Sequence, residues 1–183
     1  MKSVIIVMSA LMLMLVGCSK SGKIDGTWIR LDDHALGLII NVDGDRAKIV
    51  TPGGLSDYSF EKGDVKFKSI KKTDNGYTID DLYKGGEAEY KETDVTISGD
   101  YMSTKVLTGD QVNHYARLTE EPRVYKVDDM EFKLYQHGLI SADGEFETYV
   151  IHGENILIDD EWYRFTGDTL FFDDIDEFAV LVK

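Results

Sequence analysis

Four histidines, a single cysteine and three dense acidic runs are the side chains of this chain with the most chemistry to offer. His34, His114, His137 and His152 are far apart in sequence, so two of them would have to converge in space to hold a metal or work as an acid–base pair. The acidic runs are Asp43-Gly44-Asp45, Asp159-Asp160-Glu161 and Asp173-Asp174-Ile175-Asp176-Glu177. Each offers oxygen ligands to a cation such as Ca²⁺, but none has the Asp-x-Asp-x-Asp-Gly spacing with a distal Glu that an EF-type loop needs. Asp also favours turns because its carboxylate bonds the local backbone, and solvated turns are the simpler reading of all three runs. No Gly-x-Ser-x-Gly, His-Glu-x-x-His, Walker-type loop or Cys-x-x-Cys occurs. The sequence therefore names no catalytic residue, no metal site and no cofactor, leaves the ligand-binding residues unknown, and predicts a protein that is not an enzyme.

The cysteine has a different meaning. Met1-Lys2-Ser3 is followed by an apolar run from Val4 to Val16 and then by Leu15-Val16-Gly17-Cys18. As a helix, thirteen residues span about 20 Å, short of the roughly 30 Å hydrocarbon core, so this run is not a retained membrane span. The pattern resembles the lipobox of bacterial lipoproteins. That resemblance implies a signal peptide over residues 1–17, lipid attached to Cys18 after cleavage behind Gly17, and a cell-envelope protein tethered to a membrane surface. Two or three acyl chains would hold it stably, since each buried methylene contributes about 0.8 kcal/mol. Ser19 and Lys20 stand where inner-membrane lipoproteins of enteric bacteria carry an Asp retention signal, which implies the outer membrane in a Gram-negative host. Residues 18–23 then form a lipidated tether, and Cys18 is spent both as a nucleophile and as a disulfide partner.

Lys2 is the only charge in the signal segment, so the mature part keeps 19 basic against 34 acidic side chains, a formal charge of −15. Such a field repels nucleic acid and anionic membrane surfaces and attracts basic proteins or cations. If the charge is functional, the partner surface lies at Asp159, Asp160, Glu161, Asp173, Asp174, Asp176 and Glu177; otherwise the acids confer solubility. Two Trp, ten Tyr and eight Phe, all in the mature part, supply enough apolar surface for a substantial core despite that charge.

The elements that must carry these groups read as strands. Proline occurs only at positions 52 and 122, and glycines fall in the pairs Asp43-Gly44, Asn75-Gly76, Gly99-Asp100, Gly109-Asp110, Asp143-Gly144 and Gly167-Asp168, which suit tight hairpins. Between them lie short alternating segments such as Val65-Lys66-Phe67-Lys68-Ser69-Ile70, Val95-Thr96-Ile97 and Tyr163-Arg164-Phe165. In the first of these, alternation sets Val65, Phe67 and Ser69 on one face and the two lysines with Ile70 on the other. The best helical stretch, Gly86 to Glu92, is short and opens on glycine. The prediction is an all-β protein of about twelve to sixteen strands, an antiparallel meander or barrel-like fold in one or two β units. Glu120-Glu121-Pro122-Arg123 has linker chemistry and divides residues 24–120 from 123–183. Similar phrases on either side, Thr96 to Met102 and Arg164 to Leu170, each a strand, a Gly-Asp turn and a strand, fit a degenerate repeat of about 60–95 residues.

Asp25-Gly26-Thr27-Trp28 opens the first unit and resembles the Gly-x-Trp of lipocalins and related calycin-like barrels. The resemblance implies a Trp28 that closes one end of a barrel and stacks on an Arg from a late strand, here Arg117. The second unit lacks such an opening and ends in Lys183. Two functions follow as expectations: a tethered, non-catalytic module binding a protein or a small apolar ligand, or an inhibitor or protective factor against a basic envelope-active protein such as a lysozyme-like hydrolase, a toxin or a phage component.

Overall fold

The computed structural model of the chain describes residues 22–172 and 177–182; Cys18, Asp173, Asp174 and Asp176 lie outside the described residues. The architecture is all-β, with two antiparallel barrels in succession. The first contains β1 (Gly26–Arg30), β2 (Ile39–Asp43), β3 (Arg46–Thr51), β4 (Val65–Lys72), β5 (Tyr77–Tyr83), β6 (Glu89–Ser98), β7 (Tyr101–Val106) and β8 (Val112–Leu118). The second contains β9 (Arg123–Val127), β10 (Met130–Tyr135), β11 (Leu139–Ala142), β12 (Glu145–His152), β13 (Asn155–Ile158), β14 (Glu161–Phe165), β15 (Thr169–Phe172) and β16 (Glu177–Leu181). Within each barrel every strand pairs with its sequence neighbours, and each sheet closes on itself, β1 with β8 and β16 with β9. Closure removes the exposed sheet edges that a free meander would leave.

The glycines of all six turn pairs fall in connections between successive strands, with Asp43 as the last residue of β2. The acidic pair Asp159-Asp160 is itself a two-residue turn, with φ of 45° and 64° between the paired Ile158 and Glu161. Its composition thus has a local cause, since Asp tolerates the left-handed region. The stretch from Gly86 to Glu92 is not helical: Glu89 to Glu92 open β6, held in register with Tyr83 to Asp80 of β5. Gly85 and Gly86 belong to the connection before it.

The core of the first barrel runs from Trp28 through Ile40, Phe67, Ile79, Val95 and Met102 to Tyr115. Trp28 is fully buried, donates its indole N–H to the Ile24 carbonyl at 2.8 Å, and has the Arg117 guanidinium 4.1 Å from its ring centroid. Arg117 in turn donates to the carbonyls of Asp25 and Lys23, so this end of the barrel is sealed by the incoming chain. The second barrel is packed around Tyr125, Leu134, Ile140, Ile156, Phe165 and Leu170.

A third apolar cluster joins the two barrels. Ile29, Ile39 and Ala116 on the outer face of the first pack with Tyr135 and Leu139 of the second. The Phe146 ring sits directly on Gly37, where φ is +74° and a Cβ would fall inside the ring. Gly37 therefore meets two demands at once, a left-handed backbone and close approach of an aromatic. Polar contacts finish the joint: the Gln136 side-chain oxygen accepts from the Thr119 amide at 2.8 Å, and His137 Nε2 lies 2.9 Å from the Arg117 carbonyl.

Candidate functional site

The chemistry of the first barrel changes along its axis. On β1 the inward-facing positions are Trp28 and then Arg30; on β8 they are Arg117, Tyr115 and Asn113; on β5 they are Ile79, Asp81 and Tyr83. Away from the Trp28 end the interior thus turns polar. Arg30 donates to Asn113 Oδ1 at 2.6 Å and to Asp32 at 3.1 Å, and Asn113 donates on to Thr104 at 3.2 Å.

At the centre of this layer is a buried ion pair, Lys66 with Asp81, and the Lys66 ammonium also donates to the Leu82 carbonyl at 2.6 Å. Simple alternation sets Lys66 on the same outer face as Lys68, and the structure corrects that expectation. Between Ala47↔Phe67 and Lys48↔Val65 the register slips, so β4 advances two residues while β3 advances one. This is a β-bulge, and the extra residue turns inward beside Phe67. Lys66 is buried as a result, with its ammonium 5.0 Å from the Tyr83 ring centroid and 5.4 Å from that of Phe60.

Burial pushes the Asp81 carboxyl up and the Lys66 amine down, and the attraction between the two groups opposes both shifts. Tyr83 is pushed up to about 12, first by burial and then by the Asp81 charge. Tyr115 is pushed up by full burial. Asp81 Oδ2 and the hydroxyls of Tyr83 and Tyr115 are buried with no hydrogen-bond partner. An unpartnered buried polar atom costs about 1–3 kcal/mol, and a buried ion pair is at best a weak source of stability. Expense of this kind, gathered beside a cavity, makes this layer the candidate functional site.

The cavity opens above this layer. It measures about 340 Å³, and its walls include Arg30, His34, Leu55, Tyr58, Phe60, Lys66, Leu82, Tyr83 and Lys84. The 3-10 turn at Gly53–Tyr58 brings Leu55 and Tyr58 over the mouth. Lys84 is held at the rim by Asp64 at 2.6 Å and by the Ser59 carbonyl at 2.9 Å. Three cations and no carboxylate line this space, because Asp32, Asp64 and Asp81 stand behind the cations they pair with. Each cation is balanced by its carboxylate, so the wall presents charged donors without a net positive charge. An apolar wall beside a few convergent charged donors can hold an apolar chain and an anionic group together.

Of the residues singled out from sequence, His34 lines this cavity, while His114 bonds Ser103 on the first barrel's surface at 3.2 Å and His137 belongs to the joint between the barrels. His152 closes β12 and is exposed. Among the described residues, no group of three or more His, Cys, Asp or Glu is placed to hold a metal ion. Asp43 and Asp45 lie at the β2–β3 turn of the first barrel, whereas Asp159, Asp160 and Glu161 belong to the second. Glu177 begins β16.

Arg30, Lys66, Asp81 and Tyr83 were not legible as a site. A signal existed for three of them. Arg30 is two residues from Trp28, and Asp81 and Tyr83 share the inward phase of Ile79, so a period-two reading places charge where core is expected. For Lys66 the bulge erases that signal. Comparison with known proteins adds no assignment: no family model, curated protein or solved structure matches the chain.

Proposed function

We propose that this chain is a lipid-anchored protein of the bacterial cell envelope whose first barrel is a non-catalytic binding module for a small amphipathic anion. The cavity beside the Lys66–Asp81 pair carries this reading. An apolar chain would lie against Leu55, Tyr58, Phe60 and Leu82, and a carboxylate would face Arg30, Lys66 and Lys84. The volume, about 340 Å³, is at the lower end of the range for small-molecule pockets, so the occupant is short or leaves its tail outside. The lipobox-like segment ending at Cys18 supplies the anchor, and the lipocalin-like Gly26-Thr27-Trp28 is consistent with a ligand-holding barrel. Capture of a basic envelope-active protein by the acidic clusters is the second reading, favoured by the mature charge of −15.

Displacement of a fluorescent carboxylate probe tests the binding reading. Decanoate should compete, and decanol should compete at least about tenfold more weakly. Replacing Arg30 or Lys84 by Gln should weaken decanoate by about 10–100-fold, the factor that corresponds to losing one hydrogen bond to a charged group. Equal competition by the alcohol, or none by the acid, rejects the proposal. The anchor has its own test. Cys18→Ala should abolish fatty-acid labelling and release the protein from membranes, and retention at the level of the unaltered chain would remove the lipoprotein reading.

A further inference from the structure

We propose that the second barrel carries a separate site, open at one end of its interior, for a small organic ammonium ion. A cavity of about 170 Å³ lies there between Phe132, Ile158, Tyr163 and Phe172, with Glu145 and Glu147 on its wall. Alternation along β12 puts Glu145 and Glu147 in the same inward phase as Tyr149, which packs on the second barrel's core. Both residues are exposed, so their carboxylates stand at the open end of the barrel and not within its core.

Two properties distinguish this cavity from the one in the first barrel. Its charge is uncompensated. Among the described residues, Lys126 and Lys133 pair with Glu131, and no lysine or arginine pairs with Glu145, Glu147 or Glu161. The Glu147 carboxyl is pushed up, first by burial and then by the neighbouring charges of Asp159 and Glu145, so like charges crowd one mouth with no cation paired to them among the described residues. A cation placed there relieves the repulsion.

The other property is the aromatic wall. The Phe172 ring packs 5.2 Å from Phe132 and 5.7 Å from Tyr163, the latter nearly edge-on, so the three rings form one continuous aromatic wall of the cavity. Tyr163 is fixed in place by donating its hydroxyl to Glu161 at 2.6 Å. Aromatic faces attract weakly hydrated organic cations, and they offer nothing to a strongly hydrated metal ion that needs six or more oxygens. Rings with two carboxylates select an alkylammonium group over Ca²⁺. The site is independent of the anion cavity proposed for the first barrel.

Titration of the full chain with choline, and with its uncharged isostere 3,3-dimethylbutan-1-ol, separates charge recognition from simple filling of an apolar space. Choline should bind saturably, followed by calorimetry and by aromatic proton shifts, and the alcohol should bind at least about tenfold more weakly. The Glu145→Gln/Glu147→Gln variant should lose choline binding by about tenfold or more, with a melting temperature at or above that of the unaltered chain. Phe172→Leu should weaken choline while retaining a folded spectrum. Decanoate binding in the first barrel should be unchanged in every one of these variants. Failure of choline to saturate, equal binding of the alcohol, or full retention of choline affinity in the double Gln variant overturns the proposal, and displacement of choline by millimolar Ca²⁺ would make the site a metal site instead.

Discussion

Lys66→Met is expected to destabilise the protein by about 3–5 kcal/mol, the usual result of removing one member of a buried ion pair. The loss comes from what remains. Asp81 is fully buried, one of its oxygens already has no partner, and without Lys66 the other loses its ammonium donor. A lone carboxyl in that position stays protonated in the folded state at pH values where the unfolded chain ionises it. Folding then takes up a proton, so the stability of the variant should fall as pH rises above the ordinary carboxylate range near 4. Asp81→Asn should show the opposite slope. It leaves Lys66 buried and neutral when folded but charged when unfolded, and the variant gains stability as pH rises toward the ordinary lysine range. Lys66→Met/Asp81→Leu should recover most of the loss, because a volume-matched apolar pair avoids desolvating two charges. Denaturant titrations at several pH values would decide. Single variants as stable as the unaltered chain, or pH slopes of the same sign, would mean that the pair is not buried as described.

At the opposite end of the same barrel, Trp28→Ala should cost about 3–5 kcal/mol, the range for deleting a fully buried large aromatic. For a chain of this size that corresponds to a melting-temperature drop on the order of 10–15 °C. Three separate contacts disappear with the ring: the core packing, the indole bond to the Ile24 carbonyl, and the platform on which the Arg117 guanidinium rests. Arg117→Lys should be milder but still measurable, because an ammonium cannot both stack flat on the indole and donate to two carbonyls of the incoming chain. A thermal melt of Trp28→Ala superimposable on that of the unaltered protein would reject the assignment of Trp28 as the closing residue of the core.

The hairpin framework was legible in the sequence because its determinants are local. Gly44, Gly76, Gly99, Gly144 and Gly167 of the Asp-Gly, Asn-Gly and Gly-Asp pairs supply the positive φ of their turns, and alternation of apolar and polar residues sets the inward face of a regular strand. A strand number within the expected range and the antiparallel order follow from such features, as does the turn role of Asp159 and Asp160, whose left-handed backbone the structure shows directly, whereas the buried Trp28 was implied by the lipocalin-like Gly26-Thr27-Trp28. Local reading fails where a position is decided by something distant. Ile29 is on the outer face of β1, beside the inward Trp28, and is nevertheless buried, because the second barrel lies over it. Nor does any local pattern dictate that β1 closes with β8 and β9 with β16, since closure depends on the summed twist and stagger of all eight strands.

The same distinction governs function. By itself the sequence determined an acidic, all-β protein with no recognisable catalytic motif. Only the tertiary structure decided where its charges are exceptional. A one-residue slip between β3 and β4 turned Lys66 inward to meet Asp81, fifteen residues away on the next strand, and the folded mouth gathered Arg30 and Lys84 around it. A slip of this kind is set by how β4 fits against both neighbours at once, so the residues of β4 alone cannot announce it.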